Sequence, residues 1–67
     1  MKNLEMIFIP SSFGLIKVYS YGFIQPGASG KVYATYNDIV VSSKGYNRKR
    51  TIIKALSKLH ELVVNNQ

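Results

Sequence analysis

Cysteine is absent from the chain, which excludes disulfides and thiolate metal sites. Histidine occurs once, as His60, and one imidazole cannot build a metal centre. Carboxylates number three: Glu5, Asp38 and Glu61. Glu5 and Glu61 lie near opposite ends and Asp38 falls in a turn, so no pair has the spacing of general acid/base work. His60 and Glu61 are adjacent and would point about 100° apart on a helix. Ser11-Ser12 and Ser42-Ser43 read as turn and strand-end chemistry, with no base in view to activate a nucleophile. Gly27-Ala28-Ser29-Gly30-Lys31 lacks the spacing of a phosphate loop and runs into a strand, not a helix. The expectation is no enzyme, no cofactor and no metal.

Long apolar runs are also missing. None exceeds four residues, so no segment reads as a membrane span. Glu5 and Pro10 interrupt residues 1 to 24, which carry no signal-peptide pattern. A cytoplasmic protein is expected. Lys, Asn, Ile and Tyr are plentiful, as in proteins of AT-rich genomes or viruses, and a viral protein would reside in the host cytoplasm.

What remains is short, apolar and basic. Sixty-seven residues make one domain, residues 1–67. A chain of this length buries only about 60 per cent of its unfolded surface. Such domains usually need a staple, and without disulfides or metal a homodimer is the expected one. Apolar content of 46% is too high for a disordered tail. The net charge of +6 suits a polyanion, or an acidic protein surface.

The pattern along the chain is β, β, β, β, α. Residues 4 to 9 form a short apolar run before Pro10-Ser11-Ser12, and Ile and Phe favour a strand there. Residues 15 to 24, rich in β-branched and aromatic types, read as a strand. Gln25 to Gly30 is a loop. Residues 31 to 36 and 39 to 43 are two more strands, joined by a tight Asn37-Asp38 hairpin. Asn47 is a plausible N-cap. After it, apolar residues at 52, 53, 55, 56, 59, 62 and 63 cover half of a helix. Arg50, Lys54, Ser57, Lys58 and Glu61 take the other side, and His60 packs at the border. Residues 64 to 67 read as a frayed polar end. The fold class is therefore α+β: a small antiparallel sheet of three to four strands, with one C-terminal amphipathic helix on one face.

Strand alternation then divides the sheet. Leu15, Lys17, Tyr19, Tyr21 and Phe23 share the outer face, and Tyr33 can join their row from the next strand. An aromatic row on an open face has three readings: a base-stacking platform, a dimer interface, or a core under another segment. The short chain favours the dimer interface, formed by Tyr19, Tyr21, Phe23 and Tyr33.

Six of the nine Lys and Arg residues fall between Lys44 and Lys58, with no acid between Asp38 and Glu61. Arg48, Lys49 and Arg50 crowd the helix entrance, where free backbone N–H groups already favour anions. Three cations there oppose the helix dipole, and an anionic partner removes that penalty. The plainer reading is a solvated basic face.

Residues 31–64 resemble the C-terminal half of double-stranded-RNA-binding domains. Gly45-Tyr46-Asn47-Arg48-Lys49 is similar to that family's Gly-x-Ser-Lys-Lys helix entrance, and Ala55, Leu56 and Leu59 match its small buried helix positions. The resemblance implies three antiparallel strands before the helix, and phosphate contacts by Arg48 and Lys49, with Lys44 and Arg50. The family's first helix has no counterpart in residues 1–14. The arm-type DNA-binding domains of phage integrases, plant-type sheet DNA readers and the antitoxin half of some RNA-targeting toxin pairs share the same element order. The expected function is nucleic-acid binding, RNA before DNA, through Lys44, Arg48, Lys49, Arg50 and Lys54. The alternative is a small inhibitor or adaptor, viral in origin, docking on an acidic protein surface.

Overall fold

Turn chemistry organises the sheet in the computed structural model, which describes residues 4–65. Four strands, β1 (Glu5–Ser11), β2 (Gly14–Gly22), β3 (Gly30–Tyr36) and β4 (Ile39–Gly45), precede one helix, α1 (Arg48–Asn65). They form an antiparallel meander in the order β1-β2-β3-β4. Asn37 takes φ 54° at the β3–β4 hairpin. Asp38 does not share that positive φ, the sign pattern of a II′ turn. The hairpin pairs Tyr36 with Ile39 and so sets Lys31 opposite Lys44.

Three strands end two residues away from the sequence pattern: β4 runs on to Gly45, and β1 and β2 differ for local reasons. β1 continues through Pro10 and Ser11, and the turn is Ser12-Phe13. A two-residue turn makes Ser11 and Gly14 the hydrogen-bonded closing pair, so the missing N–H of Pro10 faces away from β2 and no ladder bond is lost. β2 stops at Gly22, not at residue 24, because Gly22 (φ 87°) and Phe23 (φ 50°) leave the extended conformation. The Phe23 N–H then closes the loop on the Ser29 carbonyl at 3.0 Å.

That kink takes Phe23 off the outer face. Its ring lies where a Cβ on Gly30 would point, about 2.4 Å away, and it packs against the core. The expectation that Phe23 joins the outer aromatic row is therefore corrected. Strand alternation ended one residue before it.

The helix begins as its residues dictate. The Arg50 N–H donates to Asn47 Oδ1 at 2.9 Å, the expected N-cap. Thr51 is buried, and its hydroxyl donates to the Asn47 carbonyl at 2.7 Å, so its polarity is satisfied. Thr51, Ala55, Leu59 and Val63 form the buried stripe at i, i+4 spacing. Ile52 and Leu56 are half-buried beside it, while Ile53 and Leu62 are exposed. The apolar face is thus narrower than its sequence pattern. Helical geometry extends through Val64 and Asn65, where fraying was expected. Asn66 and Gln67 lie outside the described residues.

The core sits between α1 and the inner sheet face: Ile16, Val18, Val32, Ala34, Ala55, Leu59 and Val63. The helix packs on β4 and β3, reaches β2 marginally and does not pack on β1. His60 is exposed, yet its ring stacks on Phe13 with centroids 6.0 Å apart, a packing role as expected.

Candidate nucleic-acid interface

Alternation and register together sort the cations onto surfaces. On the outer face, one cross-strand row runs Met6, Tyr19, Tyr33, Ser42. The next row towards the helix entrance runs Tyr21, Lys31, Lys44. On the other side lies Phe8, Lys17, Thr35, Val40. Tyr19, Tyr21 and Tyr33 therefore share the face predicted for them. The helix occupies the opposite face, and nothing in the chain's described residues covers this one.

Lys31 and Lys44 stand directly opposite each other on adjacent strands. Like charges at such positions repel. No carboxylate among the described residues shares their face. Glu5 alternates onto the inner side, Asp38 occupies the turn and Glu61 is on α1. The Lys31 ammonium lies 5.2 Å from the centre of the Tyr33 ring, and Lys17 lies 5.9 Å from that of Phe8. Tyr21 and Tyr33 are near-parallel, 20° apart, with ring centres 6.0 Å apart and phenol oxygens 3.4 Å apart. Their shared hydrogen bond holds Tyr21 above the ordinary tyrosine range and is the main cause that brings Tyr33 below it; the nearby Lys31 ammonium lowers Tyr33 further.

At the sheet's end, Gly22, Gly30 and Gly45 line up across three strands. Together with Tyr21, Ser29, Lys31, Lys44 and Tyr46 they border an open cleft of about 580 Å³. Tyr46 is 74% exposed at its rim.

The helix entrance divides the predicted cations. Lys49 and Arg50 are exposed, and the first turn holds no acid. Arg48 turns instead across the inner sheet face, pairing with Glu5 and donating from Nε to Ser20 Oγ at 3.4 Å. Among the described residues this is the one salt bridge. Arg48 is thus paired within the fold, while Lys49 and Arg50 have no such partner among the described residues.

Lys54 is exposed one turn beyond Arg50, and Lys58 one turn further. The Lys58 ammonium donates to the Ser42 carbonyl at 2.9 Å. The β3–β4 hairpin leaves that carbonyl pointing out of the sheet edge, so the Arg50, Lys54, Lys58 stripe borders β4. Lys44 lies on the same strand, two residues on. A basic band is thus set out by Lys31 and Lys44 on the outer face, Lys58 at the β4 edge and the exposed cations of the helix.

Sequence reasoning omitted Lys31 and Tyr46 from the candidate site. The hairpin arithmetic at Asn37-Asp38 would have placed Lys31 opposite Lys44, had β4 been carried beyond Ser43. No group of three metal-ligating side chains occurs among the described residues, and none of their helices is long and apolar enough to cross a membrane. Comparison of the chain with protein-family models, known proteins and solved structures finds no match.

Proposed function

We propose that the chain binds polynucleotides by their phosphates, RNA before DNA, along the basic band that joins the outer sheet face to the helix entrance. One observation carries this reading. Lys31 and Lys44 face each other with no described acid on their surface, and Lys49 and Arg50 follow just past Gly45-Tyr46-Asn47. Mutual repulsion of these cations costs the isolated protein stability, and a phosphate chain relieves it. The backbone N–H groups at the start of α1 add to the attraction for the same anion. The preference for RNA rests on the resemblance of the helix entrance to that of duplex-RNA-binding domains, with Lys49 and Arg50 in place of the pair Arg48 and Lys49. An acidic protein surface is the rival partner, since it would satisfy the same charge.

Gel shifts at a series of salt concentrations test the proposal. Lys49→Gln with Arg50→Gln should weaken binding of every polynucleotide alike. It should also flatten the slope of log K against log salt by about two, one for each phosphate no longer neutralised. Arg48→Gln should leave that slope unchanged. Absence of any polynucleotide binding at low salt would reject the proposal in favour of the acidic protein partner.

A further inference from the structure

The outer sheet face combines flat aromatic side chains with cations, and among the described residues it has neither an acid nor a covering element. We propose that it is a stacking platform for unpaired bases, so that the ligand of the basic band is a single-stranded polynucleotide. Tyr33 and Tyr21 take successive base faces, and Lys31 and Lys44 hold the phosphates between them. This deepens the phosphate-binding reading and rests on it.

Four observations carry the inference. Tyr21 and Tyr33 present near-parallel rings on adjacent strands, in an orientation their shared hydrogen bond holds before any ligand arrives. A pre-set platform reduces the ordering cost of binding. Lys31 lies over Tyr33 and opposite Lys44, so cations flank the rings on the side that leads to the helix entrance. The cleft bordered by the glycine row and Tyr46 shares Tyr21, Lys31 and Lys44 with the platform, giving a strand a path around the end of the sheet. Finally, the helix lies on the opposite face of the sheet, so among the described residues no element covers these rings. The surface offers rings for base faces, and base faces are accessible only in an unpaired strand.

A second copy of the chain is a poorer occupant. Two-fold docking of this face on itself would bring two sets of Lys17, Lys31 and Lys44 together with no described acid to offset them. The dimer interface predicted for Tyr19, Tyr21 and Tyr33 is therefore not carried forward.

The experiment compares three labelled probes by fluorescence anisotropy: a short oligouridylate, an abasic strand of equal length, and a duplex RNA. The oligouridylate should bind more tightly than either of the others. Tyr33→Ala should weaken it on the order of 5- to 150-fold, the equivalent of one base's stacking. The abasic strand should bind Tyr33→Ala and parent alike, and the salt slope should not move, because the cations are unchanged. Tyr33→Phe keeps the ring but loses the hydrogen bond to Tyr21, so it should bind more weakly than the parent yet well above Tyr33→Ala, which separates stacking from any loss of fold. Equal binding of abasic strand and oligouridylate overturns the stacking proposal and leaves the phosphate reading standing. Tighter binding of duplex than of single strand does the same. No binding of any probe at low salt overturns both. Self-association abolished by Tyr33→Ala would give the face to a second copy and overturn the proposal.

Discussion

Tyr21 and Tyr33 meet on the open face through one hydrogen bond in which either phenol can donate, and whichever ionises first becomes the acceptor. The bond to Tyr33, with burial in support, stabilises the protonated form of Tyr21. The same bond with Tyr21, together with the nearby Lys31 ammonium, favours the phenolate of Tyr33, so it ionises below the usual tyrosine range. Lys44, opposite Lys31, adds to the positive surroundings. Alkaline titration followed by phenolate absorbance should show one tyrosine ionising ahead of the rest. Tyr33→Phe should remove that early phase. Tyr21→Phe should move it up, since the donor is gone. A titration curve unaltered by Tyr33→Phe would contradict this assignment. None of it was legible in the sequence, where Tyr21 and Tyr33 are twelve residues apart and their meeting depends on the β2–β3 register.

At the scale of the element, the helix illustrates how a pattern can be right in kind and too wide in extent. Seven apolar positions covered half of the predicted helix, yet the sheet buries only the stripe Thr51, Ala55, Leu59 and Val63. A helix crossing the two strands β3 and β4 touches them along one i, i+4 ridge. Leu59 is fully buried and Leu62 is 43% exposed, so two similar leucines should behave differently. Leu59→Ala should cost about 2–5 kcal/mol of stability. Leu62→Ala should stay within about 0.5 kcal/mol of the parent. Thermal or urea unfolding reads both, and equal losses would contradict the packing described. Thr51 escaped the hydropathy pattern because its polarity is cancelled by a local hydrogen bond to Asn47, which hydropathy does not count.

At the scale of the whole molecule, the two sheet edges differ. The β4 edge is blunted: Lys58 caps the Ser42 carbonyl and Lys44 projects beside it. The β1 edge is unpaired and mostly apolar, with Leu4, Met6, Ile7 and Phe8 all exposed, Glu5 its one charge and the helix packed elsewhere. Exposed apolar edge strands pair with another strand unless something blocks them. The small core adds to that tendency. We expect two copies to associate through β1, extending the sheet, with sedimentation at micromolar concentration giving twice the mass of the chain. Phe8→Pro should dissociate them with the fold retained, because the Phe8 N–H faces away from β2, as that of a residue with an N–H at position 10 would. A parent of single-chain mass would refute this.

Local chemistry was enough to read the element order, the Asn37-Asp38 hairpin, the Asn47 cap, the two sheet faces and the cation-rich helix entrance. Each depends on residues within a few positions of one another, where turn propensity, strand alternation and helix period act. The destination of Phe23 was set by a backbone kink that strand alternation does not show, and that of Arg48 by tertiary structure. The left-handed kink at Gly22 and Phe23 turns one ring into the core. Glu5, far away in sequence, draws one guanidinium across the inner sheet face. Strand register likewise set Lys31 against Lys44 and Tyr21 beside Tyr33. Helix placement left β1 and the outer face open, because the buried stripe fits the β3–β4 surface and the chain has no further element to cover the rest among its described residues. Such choices depend on which distant groups meet, and pairing across the fold is what local propensity does not encode.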